Sequence, residues 1–373
     1  MTPPRPMAPR PGILAITPYE GGESAIPGRA DAVKLSSNEG ALGPSPLAVA
    51  AFERAAGALP RYPDGSCRDL RAAIGRRFGL DPARIVCGAG SDELLGLLAK
   101  GYAGEGDEVI YSEHGFLMYP IAARAVGAEP VKAKEAGLRT DIEAVLACAG
   151  NRTRIVYLAN PNNPTGSYLT AAELRRLRER LPEGVLLVLD AAYAEFVSAP
   201  DYEAGARLVD DYGNVVMTRT FSKIFGLAGL RLGWAYAPAD VVEVLDRLRM
   251  PFNVSAPAQA AGIAALGDID HFEAARAHNE RMRARLAAGI REAGITVPPS
   301  AANFVLARFP GGAAQAAAAD AFLKSRGVIV RRMAKYGLPD SLRITVGLGP
   351  EVEALIEGLT AFMAQAEGAA DGG

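Results

Sequence analysis

The feature of this sequence that most constrains its fold is a repeated alternation of short apolar runs and helical segments between residues 45 and 270. The runs RIVYLAN (154–160) and VLLVLD (185–190) lack the polar alternation of a half-exposed strand, and AAELRRLRERL (171–181) lies between them with helical spacing of its leucines. Strands that are apolar on both faces and separated by helices are typical of a mostly parallel sheet covered by helices. The sequence therefore predicts an α/β fold for this region.

The pattern changes near residue 270. A long amphipathic helix is predicted over 271–294, with charged residues on one side and Ala, Met, Leu and Ile on the other. Short strand-like runs (ITV, ANFVLARF, GVIVRR and LRITVG) and a final helical segment follow, which is typical of a smaller α+β domain. The chain has 373 residues, more than the roughly 250–300 that usually share one core. We therefore expect an arm over 1–44 that contributes to the small domain and the functional site, a large domain over 45–273 and a small domain over 274–373.

The totals of the sequence argue against several classes of function. The formal net charge of −2 gives no electrostatic basis for binding nucleic acid or an anionic membrane, and no apolar run approaches the ~18 residues of a membrane span. The segment MTPPRPMAPRPG has arginines but not the apolar stretch of a secretory signal. The cysteines form no CxxC pair and the histidines no HExxH pattern, so we expect no metal site and a cytoplasmic location.

Two turns follow predicted strands, at the edge where parallel sheets bind their ligands. GAGSDE (88–93) leads into a helix whose N-terminal amides suit a phosphate, with an ordinary capped helix as an equal alternative. Gly88 and Gly90 are similar to a dinucleotide-binding fingerprint, but Glu93 stands where that motif has its third glycine, and no GK[ST] follows for a P-loop. In NPNNPTG (160–166) the second Asn-Pro pair could direct its amide to a ligand, although most such segments are simply turns.

Two further segments place charged side chains in apolar surroundings. Asp190 ends the run VLLVLD, where an unpaired carboxylate is unfavourable and needs a cation or a donor. A structural aspartate, a helix cap or a metal-binding acid are the alternatives. In TRTFSKIFGLAGLRLGW (218–234), Lys223 is flanked by apolar residues, which lower the pKa of an amine and make it nucleophilic. A solvated surface lysine is the alternative there.

The four segments together predict one ligand. Ser222 and Arg231 suit a phosphate dianion, as does the start of the helix after GAGSDE. A ring nitrogen would satisfy Asp190, a phenolic oxygen would accept hydrogen bonds from the turn and from the nearby tyrosine, and an aldehyde would react with Lys223. A molecule with all of these groups is pyridoxal 5′-phosphate.

The order NPNNPTG, then DAAY, then SK and a later arginine resembles the fold-type I, class II-like aminotransferases, which depend on pyridoxal phosphate, and the similarity extends over about residues 30–362. The resemblance implies that Lys223 carries the cofactor as a Schiff base and moves a proton, and that Asp190 pairs with the pyridinium nitrogen. Tyr193 is implied as a catalytic donor to the phenolic oxygen. The implied cofactor contacts are Gly90, Ser91, Asp92, Phe116 (stacked on the ring), Asn163, Asp190, Tyr193, Ser222, Lys223 and Arg231.

One implied contact comes from another copy of the chain. Tyr62, in RYPDG, resembles a tyrosine that reaches the phosphate in the neighbouring subunit, which implies a homodimer. Within the superfamily, the closest resemblance is to the histidinol-phosphate aminotransferases, on the motifs KLSSNEGALGPSP, RYPDGSCRDLR, GAGSDELL and EHGFLMY. It implies exchange of an amino group between L-histidinol phosphate and 2-oxoglutarate, in histidine biosynthesis.

The implied substrate contacts are anion-binding and N-terminal residues. Arg343, in LRITVG, resembles an arginine that binds a substrate anion through two bonds. Arg331 is the candidate for a second such contact, together with Tyr19 and Asn38, and the adjacent Arg332 competes for the same role.

Departures from the relatives' pattern leave the substrate open. Gly40 follows Asn38 and Glu39 where proline is common, and Phe116 stands where tyrosine is common. Aromatic amino-acid aminotransferases share nearly all of the motifs and are the main alternative. A lyase similar to threonine-phosphate decarboxylase would use the same lysine, and a non-catalytic DNA-binding regulator is a third alternative that the charge balance disfavours.

Overall fold

The computed structural model describes residues 7–371, with side chains described through residue 366. Residues 1–6 of the predicted arm lie outside this range. The strands are β1 Val33–Lys34, β2 Ile85–Gly88, β3 Glu108–Ser112, β4 Glu129–Ala133, β5 Glu135–Ala136, β6 Arg139–Thr140, β7 Thr153–Ala159, β8 Leu186–Asp190, β9 Val215–Thr220, β10 Gly233–Tyr236, β11 Phe304–Arg308, β12 Val328–Ile329, β13 Arg331–Met333 and β14 Leu338–Thr345. The helices are α1 Pro46–Ala55, α2 Arg68–Phe78, α3 Ser91–Tyr102, α4 Met118–Ala125, α5 Ile142–Cys148, α6 Ala171–Arg180, α7 Ala206–Asp211, α8 Ala239–Leu248, α9 Ala256–Gly267, α10 Ile269–Glu292, α11 Gly312–Ser325 and α12 Gly349–Asp371.

The larger part of the chain is built on a seven-stranded sheet in the order β2-β10-β9-β8-β7-β3-β4. Strand β10 is antiparallel to both of its neighbours, and the other pairs are parallel. This agrees with the mostly parallel sheet that the apolar runs predict. Because parallel strands end at the same edge, β7, β8 and β9 bring the polar segments that follow them together.

The apolar character of the strands has a direct cause in the two cores. In β8, Leu187 and Leu189 belong to one buried cluster, whereas Leu186 and Val188 belong to the cluster on the opposite face. Since successive side chains point to opposite faces, a sheet covered on both sides needs apolar residues at every position. Each such side chain contributes about 1.5–3 kcal/mol when fully buried.

The C-terminal part has its own core around the antiparallel sheet β11-β14-β13. Helices α10, α11 and α12 contribute Leu286, Leu323 and Leu355 to this core. Strand β1 pairs in parallel with β12 through Val33 and Val328, so the N-terminal segment lies against this part of the molecule. The boundary predicted at residue 273 falls inside α10, and the division into domains stays a prediction.

Two local expectations differ from the structure. The strand predicted over 295–297 is only an isolated bridge between Thr296 and Arg308. The run GVIVRR forms two strands with different partners, since Val328 pairs with β1 and Arg331 pairs with β14. Within residues 7–371, no helix is both long and apolar enough to cross a membrane.

Candidate active site

A cavity of about 310 Å³ lies at the edge of the large sheet where β7, β8 and β9 end, between this sheet and the β13–β14 hairpin. It is lined by every site residue predicted from the sequence except Gly90 and Tyr62. The predicted residues in its lining are Tyr19, Asn38, Ser91, Asp92, Phe116, Asn163, Asp190, Tyr193, Ser222, Lys223, Arg231, Arg331 and Arg343. The structure thus brings together side chains from both parts of the molecule.

Lys223 lies in the turn after β9, with its amine inside the cavity. The Nζ atom donates a 3.4 Å hydrogen bond to the carbonyl oxygen of Ser37 and lies 5.8 Å from the ring centre of Tyr193. Burial lowers the pKa of Lys223 to about 8, and the positive charge of Arg343 acts in the same direction. Much more of this amine is therefore unprotonated near neutral pH than of an ordinary lysine, and a nucleophile or a base requires the unprotonated form.

Asp190 ends β8 and is almost completely buried. Its Oδ2 accepts a 2.9 Å hydrogen bond from the hydroxyl of Tyr119, and its Oδ1 accepts one of 3.3 Å from the amide of Ala192. Burial raises the pKa of Asp190 to about 6, although the bond from Tyr119 acts in the opposite direction. A cationic partner would favour the charged form of this carboxylate.

Tyr119 was not singled out in the sequence. It lies on α4, 71 positions from Asp190, and stacks on Tyr157 with ring centres 5.0 Å apart. Its neighbours on α4 are mostly apolar, so the sequence around it predicts only a buried helix face. Only the folded chain, in which Tyr119 reaches Tyr157 on β7 and Asp190 on β8, reveals its contact with the carboxylate.

Asn163, Tyr193 and Asn38 form the polar wall beside Lys223. The Nδ2 of Asn38 donates a 2.9 Å hydrogen bond to the hydroxyl of Tyr193, and Asn163 accepts one of 2.5 Å from Nη1 of Arg343. Asn38 has a left-handed backbone with φ of 54°, and its backbone N–H donates to Oγ1 of Thr345 at 2.9 Å. These bonds leave the amide N–H groups of Asn163 and the Tyr193 hydroxyl hydrogen as donors toward the cavity.

The start of α3 and the turn around Arg231 form an anion-binding cradle. Gly90 is the N-cap of α3 with φ of 86°, and a Cβ there would lie 2.5 Å from Nη2 of Arg231. Nη1 of Arg231 lies 3.4 Å from Oγ of Ser222. The carboxylate of Asp92 pairs with Arg231 at 3.3 Å, so Asp92 can offer an anion only its backbone N–H, as Ser91 does.

Two arginines lie at the other end of the cavity. Arg343 is buried, its Nη2 donates to the carbonyl oxygen of Ser36 at 2.9 Å, and its Nε has no partner among the described residues. Arg331 stands directly opposite Arg343 in the β13–β14 register and donates to the carbonyl oxygen of Glu20 at 2.7 Å. Arg332 is exposed and pairs with Leu342, so the register places Arg331, and not Arg332, in the cavity.

The two predicted aromatic contacts of the cofactor, Phe116 and Tyr62, lie in different parts of the structure. Phe116 lines the cavity and meets Tyr19 edge to face, with ring centres 6.0 Å apart. Tyr62 lies outside the cavity with 82% of its surface exposed, and its ring stacks on Phe252 at 4.6 Å. The role of Tyr62 at the site of another copy stays a prediction.

The donor set fits a phosphorylated pyridine aldehyde. An amine, a buried carboxylate and the donors of Asn163 and Tyr193 face one space. A Cβ at Gly90 would collide with the guanidinium of Arg231, so the glycine is what allows this cation to lie at the start of α3. Arg343 and Arg331, which also line the cavity, are the cationic candidates for a second anion. Over residues 7–371, no group of three or more His, Cys, Asp or Glu side chains could hold a metal ion.

Comparisons with known proteins show the family to which the chain is similar. The family described as aminotransferase class I and II matches residues 30–359. A histidinol-phosphate aminotransferase from Rhodospirillum centenum is 58% identical over 94% of this chain and 97% of its own, and one from Paramagnetospirillum magneticum is 57% identical over 95% and 98%. The crystal structure of histidinol-phosphate aminotransferase from Sinorhizobium meliloti in complex with pyridoxal-5′-phosphate has a TM-score of 0.88 and 32% identity, covering 95% of this chain and 97% of that one.

Proposed function

The chain belongs to the class I and II aminotransferases, and from this premise we propose that it exchanges an amino group between L-histidinol phosphate and 2-oxoglutarate, with pyridoxal 5′-phosphate as cofactor. The observation that carries the proposal is the cavity itself, which is lined by the amine of Lys223, the carboxylate of Asp190, an anion cradle with Arg231, and the pair Arg331 and Arg343. The identity of 58% to a histidinol-phosphate aminotransferase over nearly the whole chain supports the choice of substrate.

The roles of the cofactor contacts follow from the chemistry of each group. When bound, pyridoxal phosphate supplies an electron-accepting ring that stabilises negative charge at the substrate carbon. Asp190 would hold the ring nitrogen protonated, Asn163 and Tyr193 would donate to the phenolic oxygen, and Phe116 would cover one face of the ring. Ser222 and Arg231, with the first amides of α3, would hold the phosphate.

Lys223 is the proton carrier in this proposal. The lowered pKa of about 8 lets the same amine accept a proton from the substrate carbon and donate it again near neutral pH. The Ser37 carbonyl and the Tyr193 ring lie on two sides of the Nζ atom and limit its positions. A base that is already oriented avoids the entropy loss of finding its place in each cycle.

Arg343 and Arg331 are proposed to hold the substrate anions. L-Histidinol phosphate carries a phosphate and no carboxylate, whereas glutamate carries two carboxylates, so one site must bind two kinds of anion in turn. The two residues stand opposite each other on β13 and β14. Arg343 is fixed at both Nη atoms, and its Nε has no partner within the described part of the chain. Forked donors of this kind match phosphate and carboxylate alike.

We further propose that the enzyme is a homodimer. Tyr62 and Phe252 are exposed and stacked on each other, and the same segments expose Leu59 and Met250 by 68% and 69%. Exposed aromatic and aliphatic side chains that lie together are typical of a protein interface. The predicted cytoplasmic location stays a prediction.

The experiment that tests the function is a panel of half-reactions. The pyridoxal form of the enzyme is mixed with L-histidinol phosphate or with phenylalanine, and the pyridoxamine form with 2-oxoglutarate, and the change in absorbance is followed. We expect L-histidinol phosphate to react with the higher kcat/KM. A wide preference for phenylalanine would replace the substrate with an aromatic amino acid, and release of CO2 without a keto acid would indicate a lyase.

A further inference from the structure

Glu93 stands where the dinucleotide-binding motif has its third glycine, and in the structure its carboxylate bonds two neighbouring groups. Its Oε2 accepts hydrogen bonds from the amide of Ala89 at 2.6 Å and from Nδ2 of Asn253 at 2.7 Å. A Cβ at Gly88 would lie 2.8 Å from Cγ of Leu94 and 3.1 Å from the same oxygen, and these two contacts explain the glycine at that position. The carboxylate therefore fixes the turn that leads directly into the phosphate cradle.

The same bonds continue away from the cavity. Asn253 also accepts from Nη1 of Arg249 at 3.4 Å, and Arg249 donates to the carbonyl oxygen of Gly65 at 2.7 Å. A second bond in this region joins Gln259 to the carbonyl oxygen of Asp64 at 2.9 Å. The result is a continuous series of contacts from the turn before α3 to the segment RYPDG, which carries Tyr62.

The far end of this series is the stacked pair Tyr62 and Phe252. Phe252 directly precedes Asn253 and has a left-handed backbone with φ of 57°, which is unfavourable by about 1–2 kcal/mol for a residue with a side chain. Its ring also contacts the Gly65 segment, since a Cβ on Gly65 would lie 3.3 Å from it. The position of this exposed pair therefore depends on Asn253 and on the Gly65 turn.

We propose that Glu93 and Asn253 are positioning residues that couple the phosphate cradle to the Tyr62–Phe252 face, so that binding of the cofactor phosphate and association of two subunits strengthen each other. The inference rests on the proposed cofactor and homodimer. A phosphate at the cradle fixes the amides around Gly90, and through Ala89 it fixes Glu93, Asn253 and the exposed pair. The coupling is reciprocal. If the cofactor tightens the association of subunits by some factor, association must tighten cofactor binding by the same factor.

A local role is the simpler alternative. A glutamate in the first turn of a helix that accepts from a backbone amide just before it is a common cap and contributes about 1 kcal/mol. Such a cap would alter the stability of α3 without altering the linkage between cofactor and dimer. The ratio of subunit dissociation constants with and without cofactor separates the two roles.

The experiment is carried out on the full chain with Tyr62→Phe, which keeps the stacked ring but removes the hydroxyl that would reach the partner's phosphate. The subunit dissociation constant is measured by analytical ultracentrifugation for the apoprotein, with pyridoxal 5′-phosphate and with pyridoxal. We expect the phosphorylated form to tighten the dimer by roughly 5- to 150-fold, the usual range of such coupling. Pyridoxal, which lacks the phosphate, is expected to tighten it much less.

Adding Asn253→Ala should reduce the tightening by the phosphorylated cofactor to the level seen with pyridoxal. Asn214→Ala is the matched control, because Asn214 also bonds a carbonyl oxygen, that of Glu183 at 2.7 Å, and lies outside this series. If Asn253→Ala does not fold, Asn253→Asp, which places a second carboxylate beside Glu93, is measured instead, and Glu93→Gln together with Asn253→Asp should restore the coupling.

An unchanged ratio in folded Asn253 variants would overturn the proposal, as would a parent protein whose association does not respond to cofactor. Neither result depends on the substrate, because the half-reaction with L-histidinol phosphate is measured separately on the unaltered chain. A failed half-reaction with intact coupling would reject the proposed substrate and leave this inference in place.

Discussion

At the scale of single residues, the cavity holds two ionisable groups whose charged forms are unfavourable in the free protein. Burial lowers the pKa of Lys223 and raises that of Asp190, each away from its ordinary value. Both shifts are larger than a surface residue would show, and both groups face one cavity. A ligand with a positive ring nitrogen would pair with the carboxylate of Asp190, and its aldehyde would react with the amine of Lys223.

The first prediction concerns Lys223. Lys223→Ala should lower turnover by roughly 100- to 10,000-fold, the usual effect of losing a general acid–base group, and should abolish covalent attachment of the cofactor to the chain. Mass spectrometry after borohydride reduction measures the attachment. Lys100→Ala, at an exposed position on α3, is the control and should retain both. Normal turnover in Lys223→Ala would refute the assignment.

The second prediction concerns Asp190. A carboxyl pKa raised to about 6 from 3.8 means that the folded protein binds more protons than the unfolded chain between these pH values, so its stability falls as pH rises through this window. Asp190→Asn removes this penalty. In the apoprotein it should raise the free energy of unfolding by about 1–3 kcal/mol at pH 7, with a smaller gain at pH 5. Urea denaturation at the two pH values measures it.

The same substitution should weaken cofactor binding, because the ring nitrogen loses its counter-ion. Asp201→Asn, at an exposed carboxylate, is the control for both measurements. A variant that loses stability at pH 7 while binding the cofactor normally would contradict the role of Asp190.

The third prediction concerns Arg343. Arg343→Ala should raise the KM for glutamate by roughly 10- to 100-fold, since one hydrogen bond to a charged group contributes about 1.5–3 kcal/mol. The effect on kcat should be smaller. Arg332→Ala, at the exposed neighbour of Arg331, should leave both constants unchanged. A loss confined to kcat would mean that Arg343 acts on the reaction rather than on binding.

At the scale of secondary-structure elements, a buried ion pair joins the two segments that carry Tyr193 and Lys223. Arg219, near the end of β9, donates to Glu195 at 3.1 and 2.7 Å, and only 8% and 2% of the two side chains is exposed. The guanidinium lies against Phe78 and Trp234, 4.6 and 5.5 Å from their ring centres, and these two rings stack on each other. Charges buried in this way are stable only as a pair.

The fourth prediction follows from this pair. Glu195→Ala should lower the free energy of unfolding of the apoprotein by about 3–5 kcal/mol, because it leaves the Arg219 charge buried without a partner. Glu243→Ala is the control, since it breaks the exposed pair with Arg247, and should change the same quantity by less than about 1 kcal/mol. Equal effects of the two variants in urea denaturation would show that Arg219 reaches water or another partner.

The extent to which the sequence predicts this site also depends on the element. Lys223 and Asp190 stand out because each is a charged residue in an apolar run, a signal that is local in sequence. Tyr119 and Asn253 give no such signal, since their partners lie 71 and 160 positions away. The choice between Arg331 and Arg332 depends on strand register, which a single strand does not reveal.

At the scale of the whole molecule, the cavity contains the predicted catalytic groups of one chain, while Tyr62 points away from it with most of its surface exposed. In a symmetric dimer, each subunit would present the same face to the other. Tyr62 of each subunit would then complete the cofactor site of the other subunit. A site built from two subunits can be tested by mixing variants, whereas a site contained in a monomer would not respond to mixing.

The fifth prediction is complementation between Lys223→Ala, which lacks the amine, and Tyr62→Ala, which is expected to lose most of its activity because it removes the proposed contact to the partner's phosphate. In a mixed dimer of Lys223→Ala and Tyr62→Ala subunits, one site combines an intact Lys223 with an intact tyrosine from the other subunit. Random reassociation makes about half of the dimers mixed, each with one restored site, so activity should recover to about one quarter of the unaltered enzyme. A mixture of Lys223→Ala and Arg343→Ala subunits, assayed at subsaturating glutamate, is the control. Its activity should not rise above that of the Arg343→Ala subunits alone, because both residues belong to the same subunit's site and no mixed dimer restores one. No recovery in the first mixture, after exchange is verified by mass, would place Tyr62 outside the partner's site.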